Sequence, residues 1–152
     1  MNIQILTTKE KKTIQSQLKN QFGISELPDK IIQIGKERIR LLTADFTAKE
    51  LEKLSAITYI EGIGLYIAKE ENDGIRLSIE GTQILKDQIS KNIFSLNDQQ
   101  AKEWLSGADL QINTGKKGIF IIEYKGDFLG CGKISENKIS NFIPKGRRIK
   151  LQ

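Results

Sequence analysis

Six glycines interrupt the chain after residue 110, where they punctuate short runs of β-forming residues. They are Gly115, Gly118, Gly126, Gly130, Gly132 and Gly146, and the runs between and after them are residues 119–124, 128–134 and 149–151. Glycine weakens the interior of a long helix or strand but allows the tight turns that join short strands. Short strands at this spacing favour a small sheet or barrel over a helical bundle.

The first hundred residues instead alternate helix and strand signals. Thr7 and Glu10 match a capping box, and the apolar residues at a spacing of four that follow predict a helix ending near Gly23. Residues 31–34 and 38–42 flank a three-residue loop and predict a β-hairpin. Further signals predict a capped helix at 47–56, strands at 59–61 and 65–68, a hairpin at 72–77, a helix at 79–90 and a helix capped near Asn97 that ends near Gly107.

These elements predict an α+β protein with two domains. We expect residues 1–95 to form an α/β domain with an antiparallel sheet, and residues 96–152 to form a small β-barrel packed on it. No linker rich in Ser, Gly or Pro separates the two, so we expect rigid packing between them.

The absence of histidine limits the chemistry that these residues can perform. The chain has no His and a single cysteine, Cys131, which removes the commonest general base and any Cys/His zinc site. We therefore expect no enzyme activity, no cofactor and no metal, with carboxylate catalysis by Asp45, Asp73, Asp109 or Asp127 left as an alternative. The lone cysteine and the lack of a signal peptide or long apolar run predict a cytoplasmic protein without membrane spans.

The positive charge of the chain is concentrated in its final third. Residues 1–100 contain 14 Lys and Arg against 14 Asp and Glu, whereas residues 101–152 contain 10 against 5, so the net charge of +5 arises there. Its densest part is residues 141–150, where four cations surround Pro144 and Gly146. A basic module beside a neutral one favours a polyanionic partner, and nucleic acid more than a membrane surface.

Three segments and the tail resemble a known family. The sequences Trp-Leu-Ser-Gly-Ala-Asp-Leu (104–110), Gly-Ile-Phe-Ile-Ile (118–122) and Phe-Leu-Gly-Cys-Gly-Lys (128–133) are similar to the PUA domain, an RNA-binding β-barrel. The whole plan resembles the Nip-type ribosome-biogenesis proteins. The tail Asn-Phe-Ile-Pro-Lys-Gly-Arg-Arg-Ile (141–149) is similar to the end of the PUA-like domain of Nop/Sun-type RNA cytosine-5 methyltransferases.

The resemblance implies a PUA-like barrel and an RNA-binding role in ribosome biogenesis or RNA modification, with rRNA or tRNA as the partner. Carried over by position, the RNA contacts would be Lys145, Arg147, Arg148 and Lys150, followed by Lys133 and Lys138. The N-terminal domain would dock a protein partner. An adaptor whose basic tail binds an acidic protein is the alternative, and RNA contact through Arg38 and Arg40 stays open.

Overall fold

The computed structural model describes residues 3–28, 30–42, 47, 49–50, 53 and 64–150. In this part of the chain the strands are β1 (Ile3–Ile5), β2 (Ile31–Ile34), β3 (Arg38–Leu41), β4 (Leu65–Glu71), β5 (Gly74–Leu77), β6 (Ile93–Ser95), β7 (Gly118–Tyr124), β8 (Asp127–Ile134) and β9 (Ile139–Ser140). The α-helices are α1 (Thr8–Phe22), α2 (Ile79–Ile84) and α3 (Asp98–Leu105), and single 3-10 turns lie at Lys86–Gln88 and Lys145–Arg147. This mixture confirms the predicted α+β class.

The first sheet has the strand order β1-β2-β3-β4-β5, and every neighbouring pair is antiparallel. Helix α1 begins at the predicted capping box, in which Thr7 Oγ1 accepts from Glu10 N and Glu10 Oε2 accepts from Thr7 N. It ends at Gly23, whose φ of 83° is left-handed. The antiparallel sheet and the first helix are therefore confirmed.

The second sheet is a curled four-stranded sheet with the order β6-β7-β8-β9. Strand β6 pairs parallel to β7, whereas the other two pairs are antiparallel. Two parallel neighbours need a crossover connection, and α3 provides it by covering one face of the sheet. The closed barrel that the resemblance implies stays a prediction, as does the domain boundary between residues 95 and 96.

Strand β7 lies between two hydrophobic cores. Ile119 and Ile121 face a core formed by α1 and the inner side of the first sheet, while Phe120 and Ile122 face a core formed with α3. Successive side chains of a strand point to opposite faces, so a strand covered on both sides requires an uninterrupted apolar run. This explains why four consecutive residues of β7 are buried.

Several predicted elements differ from those observed. The helix predicted over 79–90 ends at Ile84, which is 42% exposed, because the chain continues as a 3-10 turn. The strand predicted at 149–151 does not form at its described residues, and Ile149 is 58% exposed. The capping box at Thr47 and Glu50 forms, but most of its helix and the strand at 59–61 lie outside the described residues.

Trp104 of α3 packs on the second sheet. The indole is fully buried in the core between α3 and the second sheet, among Leu110, Ile122 and Ile139. Contact between the two sheets instead comes from the inner side of β7 and β8. Across the described ranges, no helix is both long and apolar enough to cross a membrane.

Candidate nucleic-acid interface

The basic tail segment, defined as residues 141–150, is fixed to the fold at both ends. At its start, Asn141 Nδ2 donates to the carbonyl oxygens of Trp104 at 2.7 Å and Ala108 at 3.1 Å. At its end, Ile149 N donates to Leu105 O at 2.8 Å. Ile143 is buried between these anchors, so residues 144–148 protrude as an exposed turn with a defined backbone.

The four predicted cations of this segment are exposed but differ in their partners. Arg147 forms an ion pair with Glu80 at the start of α2. Arg148 folds back over Gly107, and its Nε donates to Ile143 O at 3.0 Å. The side chains of Lys145 and Lys150 have no hydrogen bond or ion pair with any described residue. These two lysines can meet a phosphate without breaking an existing interaction.

Lys133 and Lys138, the two further predicted contacts, both lie beside carboxylates. Lys133 Nζ is 2.6 Å from Asp73 Oδ2, which joins β8 to the turn between β4 and β5. The lysine lowers the pKa of Asp73 by hydrogen bonding, and Asp73 raises the pKa of Lys133. Lys138 Nζ is 3.6 Å from Asp109 Oδ2. Any RNA phosphate must therefore compete with a carboxylate for these two side chains.

A cleft of about 50 Å³ lies beside the tail segment, between the two sheets. Its walls include Tyr66, Arg76, Phe142 and Arg147, and the Arg76 guanidinium stands 4.0 Å from the centroid of the Phe142 ring. This volume holds one or two water molecules, since each occupies about 30 Å³ in the liquid. The tail segment and the first sheet therefore share the walls of this cleft.

The sequence interpretation missed Arg76 as a neighbour of the tail. Arg76 lies on β5, forms an ion pair with Glu71 at 2.8 Å and covers one face of Phe142. No local pattern could have revealed this, because the two partners are 66 residues apart in the sequence. Arg38 and Arg40 lie on the same sheet, each 5.9 Å from the centre of the Tyr66 ring.

Cys131 is buried and chemically inert in the folded protein. Burial raises the pKa of its thiol to about 12, and its sulfur accepts a hydrogen bond from Leu77 N at 3.3 Å. The thiolate is the reactive form of cysteine, so almost none is present near neutral pH. The environment of Cys131 is therefore that of a small apolar residue.

We expect native Cys131 to resist a maleimide reagent at pH 8 over a period that labels a free thiol completely. The expected result follows from both its burial and its raised pKa. Mass spectrometry of the intact protein measures the labelled fraction, and the same reaction in denaturant is the control. Rapid labelling of the native protein would contradict the buried position.

The described surface is therefore suited to binding a polyanion by charge and shape. It presents exposed cations on a turn whose two ends are anchored to the fold, and no group of three or more acidic or sulfur-bearing side chains within the described ranges could hold a metal ion. Lysine and arginine bind nucleic acid chiefly by neutralising phosphates and releasing counterions. A compact β-rich module with such a tail is the arrangement expected of an RNA-binding accessory domain.

Comparison with known families supports this class. Residues 91–149, which include β6 to β9, α3 and most of the tail segment, match the family model of the Methyltransferase RsmF PUA domain. Residues 91–149 therefore resemble a PUA domain, and the chain is similar to the PUA-like tail of Nop/Sun-type methyltransferases. The resemblance to Nip-type proteins stays a prediction.

The similarity to individual relatives extends beyond the PUA region. Ribosomal RNA small subunit methyltransferase F of Shewanella oneidensis is 32% identical over 139 residues, which cover 90% of this chain and 28% of the relative. The proteins of the same name from Aliivibrio fischeri and Vibrio campbellii are each 27% identical, over 91% of this chain and 28% and 29% of their own lengths. The chain thus spans less than a third of these relatives.

The expectation that the protein is not an enzyme was wrong in the light of these relatives. It rested on the lack of histidine and on the absence of paired carboxylates in the sequence. The relatives that match nine-tenths of the chain are named as methyltransferases. The missing histidine limits only the chemistry of the residues present, and it does not separate this chain from an enzyme family.

Proposed function

We propose that this chain binds ribosomal RNA of the small subunit and holds it for methyl transfer. The observation that carries the proposal is the match of residues 91–149 to the PUA domain of a methyltransferase, in a region where 10 Lys and Arg face 6 Asp and Glu. The relatives are named for small-subunit rRNA methylation, which supports rRNA as the RNA class. A cytoplasmic location and a role in ribosome biogenesis follow from this proposal.

The tail segment would supply the phosphate contacts. Lys145 and Lys150 can bind phosphates directly, because they have no other partner in the described part of the chain. Arg147 would exchange Glu80 for a phosphate, which keeps its charge paired in both states. Phosphate contacts of this kind position the RNA, while specificity comes from base edges and RNA shape.

Lys133 and Lys138 would contribute less than Lys145 and Lys150 in this proposal. Each must leave a carboxylate at the surface without its cation when it turns to RNA. Exposed ion pairs are weak, typically about 0–1 kcal/mol, so the exchange is possible but gains little. The docking of a protein partner on the N-terminal sheet stays a prediction.

The double variant Arg147→Ala/Arg148→Ala should weaken RNA binding at all sequences. If both arginines meet phosphates of single-stranded RNA, the slope of log K against log salt should flatten by about 1.4, at roughly 0.7 per contact. Fluorescence anisotropy with labelled small-subunit rRNA fragments over a salt series measures this slope. The matched control is Lys9→Ala/Lys12→Ala, which removes two exposed charges from α1.

Two outcomes would overturn parts of the proposal. An unchanged slope in the Arg147/Arg148 variant, with RNA still bound, would remove the tail segment as the contact surface. Absence of RNA binding by the unaltered protein, together with capture of an acidic protein that RNA does not displace, would favour the adaptor alternative. Equal affinity for rRNA fragments and unrelated RNA of equal length would argue against a dedicated rRNA role.

A further inference from the structure

A second cationic feature lies in the loop between the bridge residue Leu110 and β7. The glycine-bounded loop, defined as residues 113–118, reads Asn-Thr-Gly-Lys-Lys-Gly. Gly115 and Gly118 have φ values of 73° and 117°, a region that other residues rarely adopt. Gly115 N donates to Asn113 Oδ1 at 3.0 Å and Lys116 N donates to Thr114 Oγ1 at 3.1 Å, so the loop has a specific conformation.

The two lysines of this loop, unlike Lys133, Lys138 and Arg147, have no carboxylate partner among the described residues. Lys116 and Lys117 are exposed, and neither forms an ion pair with any residue that the structure describes. The Lys116 ammonium stands 5.5 Å from the centroid of Phe120, whose ring belongs to the core against α3. Their charges are therefore available to a phosphate without the exchange that Lys133, Lys138 and Arg147 require.

Space around the glycines allows another backbone to approach closely. A Cβ placed on Gly115 or Gly118 would have no described atom within 4 Å. A Gly-x-x-Gly loop is the feature with which KH domains clamp the backbone of single-stranded RNA, because it combines a tight turn with the absence of side chains. The present loop follows a bridge and precedes a strand, so only its local chemistry is comparable.

The sheet register connects this loop to the other cations. Ile134 of β8 pairs with Gly118 of β7 on one side and with Ile139 of β9 on the other. Lys117 directly precedes Gly118 and Lys138 directly precedes Ile139, so each lysine lies one residue before a strand position that flanks Ile134. Two spacings of about 4.8 Å separate those outer strands. Asp109 links this end to the tail, because its carboxylate lies near Lys138 and accepts from Asn141 N at 2.8 Å.

We propose that the glycine-bounded loop is a second binding site for the sugar-phosphate backbone of single-stranded RNA. Together with Lys138 and the tail segment it forms one track across an end of the second sheet. This inference rests on the proposed RNA binding of the tail and extends it to residues outside the predicted contacts. The ligand is recognised through its phosphates, so the track is independent of base sequence.

The double variant Lys116→Gln/Lys117→Gln tests the loop. Loss of two phosphate contacts should flatten the slope of log K against log salt by about 1.4 and weaken binding about 25-fold at 0.1 M salt, since this change acts over the tenfold range from 1 M. Anisotropy with a labelled single-stranded rRNA fragment measures both. The matched control is Lys9→Gln/Lys12→Gln, which should retain the slope of the unaltered protein.

A second variant, Gly115→Ala, tests the loop conformation without changing charge. Its positive φ disfavours alanine, so we expect several-fold weaker binding with an unchanged slope. Binding by the Lys116/Lys117 variant equal to that of the unaltered protein, while the Arg147/Arg148 variant is weakened, would overturn this inference alone. If neither variant changes the slope, the proposed function of the tail fails as well.

Discussion

Replacing Trp104 with alanine should lower the free energy of unfolding by about 3–5 kcal/mol, the range for large aromatic side chains removed from a core. The indole is fully buried and is the largest side chain in the core between α3 and the second sheet. It also packs so closely on β8 that a Cβ on Gly132 would lie 2.8 Å from Trp104 Cη2. Collapse around so large a cavity would require movement of α3 or of the strand.

Trp104→Phe is the control for this prediction. The Nε1 atom of Trp104 is buried and has no hydrogen-bond partner among the described residues. Phenylalanine removes this unsatisfied donor, which offsets part of the cost of the smaller cavity. Denaturant unfolding followed by circular dichroism should therefore rank the variants as alanine far below phenylalanine, with phenylalanine below the unaltered protein. Equal losses for the two variants would contradict the packing described for the indole.

Replacing Gly81 with alanine should destabilise the protein by about 1–3 kcal/mol, the usual cost of overpacking. A Cβ at this position would lie 2.1 Å from Ile67 O, which already accepts a hydrogen bond from Ser78 N. The backbone of β4 cannot move aside without losing that contact. Helix propensity alone would make the alanine variant more stable by about 1 kcal/mol. The sign of the measured change in unfolding free energy therefore shows whether helix propensity or overpacking has the larger effect.

The matched control is Gly146→Ala. Gly146 has open space around its Cβ position and a φ outside the left-handed region, and its 3-10 turn is exposed. Its change in unfolding free energy should fall within about 0.5 kcal/mol, as for ordinary surface sites. Thermal unfolding of both variants under one condition measures the difference. A gain in stability for Gly81→Ala would contradict the close approach of α2 to β4.

Local sequence chemistry predicted the elements that depend on neighbouring residues. The capping boxes at Thr7 and Thr47 and the hairpin from Ile31 to Leu41 involve side chains within a few positions of each other, so their patterns are readable. The helix predicted over 79–90 was too long, because the chain leaves the α-helix after Ile84 and continues as a 3-10 turn at Lys86–Gln88. The apolar spacing is similar in both parts, so sequence periodicity does not report that boundary.

The cations of the candidate site were predictable from the sequence, but their ion-pair partners were not. The cations of the tail were named from charge density together with the family resemblance, and they lie at the surface. Their carboxylate partners were not predictable, since Glu80 precedes Arg147 by 67 positions and Asp73 precedes Lys133 by 60. Lys116 and Lys117 carried a local signal, because two cations lie between two glycines, but they were not among the predicted RNA contacts.

The position of β7 between two cores has a consequence for cooperativity. Its inner side chains belong to the same core as α1 and the first sheet, so residues 91–149 cannot separate from the preceding residues without exposing Ile119 and Ile121 to water. Unfolding of either part removes packing contacts from the other. The chain should therefore unfold in a single thermal transition, although its positive charge is concentrated in the final third. A force applied to the tail segment by a bound RNA would therefore be resisted by the entire fold and not by a separately tethered module.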